Sequence, residues 1–186
     1  FYTYLFLVIV FLFFLVAHFL KAQFLTTYSF DSGFENLNLD TNIEYQIFID
    51  ENNRLEIDYF LGNGYKADII NKPGRSGFPE VVETIIGIPR AIVFREIDTS
   101  SLLKVQGWEI ELGSDNLWKL DIFSIDSNIH LDNLNLTESS ISGTGEIYLG
   151  PNLNLSELVL NGQYKITVSK LLPIVVKGSA TVPSSW

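Results

Sequence analysis

I-H-L-D-N-L-N-L-T-E-S-S-I-S-G-T-G-E-I-Y-L-G, residues 129–150, sets apolar side chains two apart: Ile129/Leu131, Leu134/Leu136 and Ile147/Leu149. Successive side chains of a strand point to opposite faces, so such couples mark short strands with one sheltered face. Asn, Ser and Gly stand between the couples, where turns are expected. The same pattern runs outward in both directions. Upstream, Trp108, Ile110 and Leu112 alternate, as do Trp118, Leu120 and Ile122. Downstream come Leu153/Leu155, Leu158/Leu160, then Tyr164, Ile166 and Val168, then Ile174/Val176 and Ala180/Val182. Many short strands at close spacing predict a β-sandwich or a short β-solenoid for residues 107–186. No strict repeat period decides between them.

Residues 24–106 read as a further β region of the same globular unit. Ile43, Tyr45, Ile47 and Ile49 alternate with Glu44, Gln46 and Asp50; Leu55, Ile57 and Tyr59 alternate with Glu56 and Asp58. With the polar turn Glu51-Asn52-Asn53-Arg54 between them, the two runs predict a hairpin with one apolar and one acidic face. Gly62, Gly64, Pro73, Gly74, Gly77 and Pro79 predict a loop over 61–79. Glu80–Ile86 suits a short helix or a strand equally, because β-branched residues fill it. Ala91–Glu96 is an expected strand.

The first twenty residues differ in kind. F-Y-T-Y-L-F-L-V-I-V-F-L-F-F-L-V-A-H-F-L is interrupted only by Thr3 and His18, and the first charge is Lys21. As a helix this run would be about 30 Å long, the thickness of a bilayer hydrocarbon core. Residues 1–23 are therefore expected to form a hydrophobic membrane or assembly helix. Its contacts would come from Phe1, Tyr4, Leu5, Phe6, Val8, Phe11, Phe13, Phe14, Val16 and Phe19. The predicted fold class is thus mainly β, an N-terminal α-helix ahead of a sandwich or solenoid.

Composition narrows the function. The 186 residues hold 22 acids and 12 bases, a net charge of −10, which opposes nucleic-acid binding. Cysteine is absent, which removes disulfides, thiolate metal sites and thiol nucleophiles. His130 is the one histidine outside the apolar run. It shares an alternating set with Ser124, Asp126, Asn128 and Asp132. That set is read as the solvated face of an edge strand opposite Ile125, Ile129 and Leu131, rather than a metal or acid/base cluster. The pairs Glu109/Glu111 and Glu56/Asp58 decorate strands. Trp108, Trp118 and Trp186 are aromatic enough for a sugar site but fit core or rim packing. No catalytic residue, metal or cofactor is expected. Asn135-Leu-Thr and Asn154-Leu-Ser are glycosylation sequons, meaningful if the domain faces outside.

Two resemblances add to this reading. An apolar stretch beginning at Phe1 resembles type IV pilins, although Leu5 stands where bacterial pilins usually carry Glu. That resemblance implies a cell-surface filament, a helical homopolymer packed through its N-terminal helices. Trp118-Lys-Leu-Asp-Ile, Ile129-His-Leu-Asp-Asn-Leu-Asn-Leu, Gly145-Glu-Ile-Tyr-Leu-Gly, Tyr164-Lys-Ile-Thr-Val and Val182-Pro183 together resemble the toast-rack domains of envelope membrane proteins. That resemblance implies a single-span regulator, anchored in membrane lipid with its β-domain outside. The expectation is a non-enzymatic extracytoplasmic structural protein of the pilin-like kind. The anchored regulator is the alternative, and a surface carbohydrate-binding or hydrolase module comes third.

Overall fold

The computed structural model describes residues 24–27, 33–50, 54–70, 79–84, 90–96 and 107–175. They form eleven strands: β1 (Phe24–Thr27), β2 (Phe34–Asn36), β3 (Glu44–Asp50), β4 (Arg54–Phe60), β5 (Tyr65–Ile69), β6 (Pro79–Thr84), β7 (Arg90–Glu96), β8 (Gly107–Gly113), β9 (Leu117–Leu131), β10 (Asn135–Leu149) and β11 (Asn154–Val168). All belong to one sheet. This corrects the expected fold class. Among the described residues there is no helix, and one folded-over, nearly closed sheet replaces the sandwich or solenoid. The expected N-terminal helix lies outside the described residues. β6 settles the ambiguous 79–84 segment as strand, and β5 occupies part of the expected 61–79 loop. There, Tyr65 and Ala67 point inward, so alternation prevails over the flanking glycines.

β9 is the fold line. Its first half pairs in parallel with β3, from Glu44 opposite Leu117 to Asp50 opposite Phe123. Its second half pairs in parallel with β4, from Arg54 opposite Asp126 to Ile57 opposite Ile129. β3 and β4 therefore run end to end along one strand. They are not the expected hairpin. Two strands paired with each other and two strands laid end to end on a third leave the same alternation in the sequence; only the shared neighbour tells them apart. β7 pairs in parallel with β3 and β8 with β4, which extends the two arms of the sheet. Antiparallel β6 and β1 complete the first arm, and antiparallel β5 and β2 the second. The arms then nearly meet. Asn36 on β2 donates to both carboxylate oxygens of Glu83 on β6, at 3.1 and 3.0 Å, and the Tyr65 hydroxyl donates to Glu83 at 2.8 Å.

On the other side of β9, β10 and β11 stack in parallel. Every β10–β11 couple is 19 residues apart, from Asn135/Asn154 to Leu149/Val168. The three long strands bend at one level, around Ser124–Ser127, Gly143–Gly145 and Gly162. Glycine is required at that bend in β10. Gly143 has φ 121°, and a Cβ there would lie 1.8 Å from the Ser124 carbonyl oxygen.

Parallel register turns the alternation into ladders. Ile110, Ile57, Ile129, Ile147 and Ile166 are successive neighbours across β8, β4, β9, β10 and β11. The first arm repeats the device with Phe94, Ile49, Ile122, Ile141 and Leu160. Each fully buried member contributes roughly 1.5–3 kcal/mol. Trp108 and Trp118 are buried as well, and Trp118 Nε1 donates to the Gly113 carbonyl at 2.8 Å.

Candidate functional site

Stacking aligns the outward side chains as strictly as the inward ones. On the second arm, Glu56 lies opposite Glu109 on one side and Asn128 on the other, and Asp58 lies opposite Glu111. Like charges directly across a strand pair repel. Two cations relieve part of this: Arg54 bridges Glu56 at 2.5 Å and Lys66 bridges Glu111 at 3.3 Å. The result is an open groove of about 670 Å³. Its walls include the four carboxylates with Asn128, His130, Asp132 and Tyr148.

His130 sits at the centre of this wall. Its Nδ1 lies 3.3 Å from Asp58 Oδ1. Its ring packs edge-on against Tyr59 at 5.5 Å and Tyr148 at 4.7 Å between centroids. Asp132 has a different job. It is buried, and its Oδ1 accepts from the backbone N–H of Asn133 and of Asn152, both at 2.9 Å, holding the corners after β9 and β10. Carboxylates, an imidazole and a phenol on an open wall suit attraction of cationic groups. Among the described residues no group of three or more His, Asp or Glu is arranged to hold a metal ion.

The alternating set expected around His130 is broken by the bend. Ser124 and Ser127 both point inward, and Ile125 and Asp126 between them both face solvent. The cause is an extra residue in β9, where the register steps from Gly143/Ser124 to Gly145/Ser127. Ser124 and Asp132 are therefore buried, Ile125 is 49% exposed, and Asp126, Asn128 and His130 remain outside or half-exposed. Nor is β9 an edge strand, since β3, β4 and β10 flank it. Trp108 and Trp118 are core residues and present no platform to a sugar. Trp186, His18 and the apolar set Phe1–Phe19 lie outside the described residues.

The two sequons occupy equivalent positions, with Asn135 opposite Asn154. Asn135 Nδ2 donates to the Ser114 carbonyl at 3.0 Å, and Asn154 Nδ2 donates to Asn135 Oδ1 at 3.2 Å. Their carboxamides form a short ladder at the row entrances. The repeated N-L-T-E and N-L-S-E at 135–138 and 154–157 is thus the visible trace of the 19-residue row.

Elsewhere, the seam between the arms holds a perturbed group. Burial, with the charge and hydrogen bond of Glu83 added, pushes the Tyr65 phenol far above its ordinary value. Nothing in the sequence pattern singled out Tyr65 or Glu83.

No protein-family model matches this chain, and no curated protein sequence matches it. Among solved structures, it is similar to a candidate cell adhesion protein from Clostridium sporogenes, at 11% identity and a TM-score of 0.46. The likeness covers 74% of this chain and 100% of the other.

Proposed function

We propose that this chain is a non-enzymatic structural protein displayed outside the cytoplasm, a pilin-like subunit that assembles a cell-surface filament through its apolar N-terminal stretch. One observation carries the reading. A charge-free run of bilayer length, residues 1–20, stands directly ahead of an all-β body that begins at Phe24 and turns carboxylates outward. The two parts call for opposite surroundings. The apolar stretch belongs against lipid or against copies of itself. The acidic face of β4 and β8 belongs in water, where its charge keeps displayed bodies apart. Glycans at Asn135 and Asn154 would add to that solubility. No helix among the described residues is long and apolar enough to cross a membrane.

The test compares the full chain with a version lacking residues 1–23. The full chain is expected in the membrane or surface fraction, with filaments in electron micrographs. The shortened chain should be a small soluble particle without filaments. Filaments that persist after the deletion would overturn the reading. Mass spectrometry of the native N-terminus checks the pilin resemblance separately, since it implies a methylated amine on Phe1.

The acidic groove favours a second reading, a toast-rack-like regulator held in the membrane by a single span. Glu56, Asp58, Glu109 and Glu111 would attract a cationic segment of a membrane partner. Asp58→Lys with Glu111→Lys should then abolish partner capture while filaments are absent from the start.

A further inference from the structure

Among the described residues, β11 is hydrogen-bonded along one side only, to β10. Its opposite edge is fifteen residues long. An unpaired edge of that length is a template for another strand, and natural edges are usually blunted by proline, lysine or bulges. β11 contains no proline and a single lysine, Lys165. Its inward residues show the incompleteness directly. Ile141, Ile147 and Leu149 in β10 are 0, 1 and 4% exposed. Their row neighbours Leu160, Ile166 and Val168 in β11 are all partly exposed.

We infer that this edge is covered by β11 of a second copy, in an antiparallel, two-fold contact centred on Asn161. The shape of the strand permits it. β11 bends at Gly162, φ 144°, into two arms that follow the two arms of the sheet. A two-fold axis at Asn161, one residue before the bend, lays the first arm of each copy along the second arm of the other. Centring on Asn161 places Leu158 opposite Tyr164 and Leu160 opposite Gly162 near the axis, while Ile166 and Val168, beyond the phase shift at Ser156–Glu157, fall opposite Ser156 and Asn154. Glu157 then stands opposite Lys165.

The charges fit that register. Within one copy Glu157 has Glu138 as its row neighbour, a repulsive couple. The partner's Lys165 would relieve it. Lys165 is exposed, with its own contact to Glu146 at 3.1 Å, so it is placed to serve both carboxylates. The contact is independent of residues 1–20 and goes beyond the filament reading: either can fail without the other.

The absence of cysteine supplies the test. In the full chain in detergent, Asn161→Cys puts one thiol on the proposed axis. Opposed residues of an antiparallel pair have Cα atoms about 4.5–5.5 Å apart, inside the disulfide window of about 4.4–6.8 Å. Ser142→Cys, the row neighbour of Asn161 on β10, is the control. Across the proposed contact its copies would be about 14 Å apart, three strand spacings, too far to join. Mild oxidation should give at least tenfold more covalent dimer from Asn161→Cys than from Ser142→Cys. Glu157→Lys should lower the yield severalfold, and Glu157→Lys with Lys165→Glu should restore it. Equal yields at 161 and 142 would overturn the proposal. So would an Asn161→Cys chain that stays monomeric, the outcome expected if residues 176–186 of the same chain, or another protein, cover the edge. Filaments lost on deleting residues 1–23 while the Asn161 cross-link persists would leave both readings standing.

Discussion

β9 and β11 have the same length, the same direction and a similar set of alternating apolar residues, yet one is core and the other is margin. Trp118, Leu120, Ile122, Ile129 and Leu131 are each at most 2% exposed, because β3 and β4 lie on one side of β9 and β10 on the other. Leu155, Leu158, Leu160, Tyr164, Ile166 and Val168 are partly exposed, because β10 covers one side only. An apolar row is buried by its neighbours as much as by its own composition. Stability in this fold should therefore fall off along the stack, from β9 toward β11.

The bend glycines give the largest expected contrast. A Cβ on Gly143 would meet the Ser124 carbonyl oxygen at 1.8 Å, and one on Gly162 would meet the Gly143 carbonyl oxygen at 1.9 Å. Both have positive φ, so both substitutions are strained. β10 is held from both sides, whereas β11 can move off its single neighbour. Gly143→Ala should cost about 3–5 kcal/mol and Gly162→Ala about 1–2 kcal/mol, read from urea unfolding midpoints. Equal losses would break the comparison.

The isoleucine ladder is the next test. Ile129→Ala leaves a cavity walled on every side and should cost about 3–4 kcal/mol. Ile166→Ala, one margin away, should cost about 1 kcal/mol, since much of its surface already meets solvent. Thermal or urea unfolding of the two variants orders them directly.

These ladders also show what the sequence could tell. Alternation named the inward residues of β3, β4, β8 and most of β9 correctly, because a strand has one period and burial obeys it. It could not say which strands are neighbours. Ile43–Ile49 and Leu55–Tyr59 look like a hairpin but lie end to end along β9, since both arrangements preserve the alternation. Glu56 and Glu109 meet across β4 and β8 although 53 positions separate them, and no local pattern encodes that register. The 19-residue period was partly visible in N-L-T-E and N-L-S-E. Asn116-Leu117 lies a further 19 residues upstream, but the pairing there is one residue out of step, with Asn135 opposite Leu117, before a bulge in β10 restores the spacing. Bulges at Ser139 and at Ser124–Ser127 thus hide the repeat and shift Ile125 to the surface.

The stack's other end sharpens the comparison. There the margin is closed by side chains, Tyr65 and Asn36 on Glu83. Tyr65→Phe removes a hydrogen bond to a charged group and should cost about 1.5–3 kcal/mol near neutral pH. The phenol also sets a pH dependence. Its pKa is raised in the folded state, and the unfolded chain ionises at about 10. Below that pH the contribution is complete. As pH rises above it the unfolded state releases a proton that the folded state keeps, so stability falls. Melting temperatures measured from pH 8 to 11 should decline in the parent chain and decline less in Tyr65→Phe. An identical decline in both would place the sensitivity elsewhere.

The smallest effect is expected at the open margin itself. Lys165 and Glu146 meet at 3.1 Å with side chains 71% and 65% exposed. Water screens such a pair, so Lys165→Ala should cost about 0.2–0.5 kcal/mol in dilute protein. The closed end offers the counterpart. Arg95 bridges Glu80 at 2.7 Å, and Glu80 is only 10% exposed. Removing Arg95 strands a buried carboxylate and should cost several times more. Concentration then separates the two sites. The Arg95→Ala loss should stay constant as protein is concentrated, because its partner is in the same chain. The Lys165→Ala loss should grow, because a second copy brings Glu157 to the same ammonium group. A Lys165→Ala loss that stays at a few tenths of a kcal/mol at every concentration would mean that β11 keeps its edge to solvent.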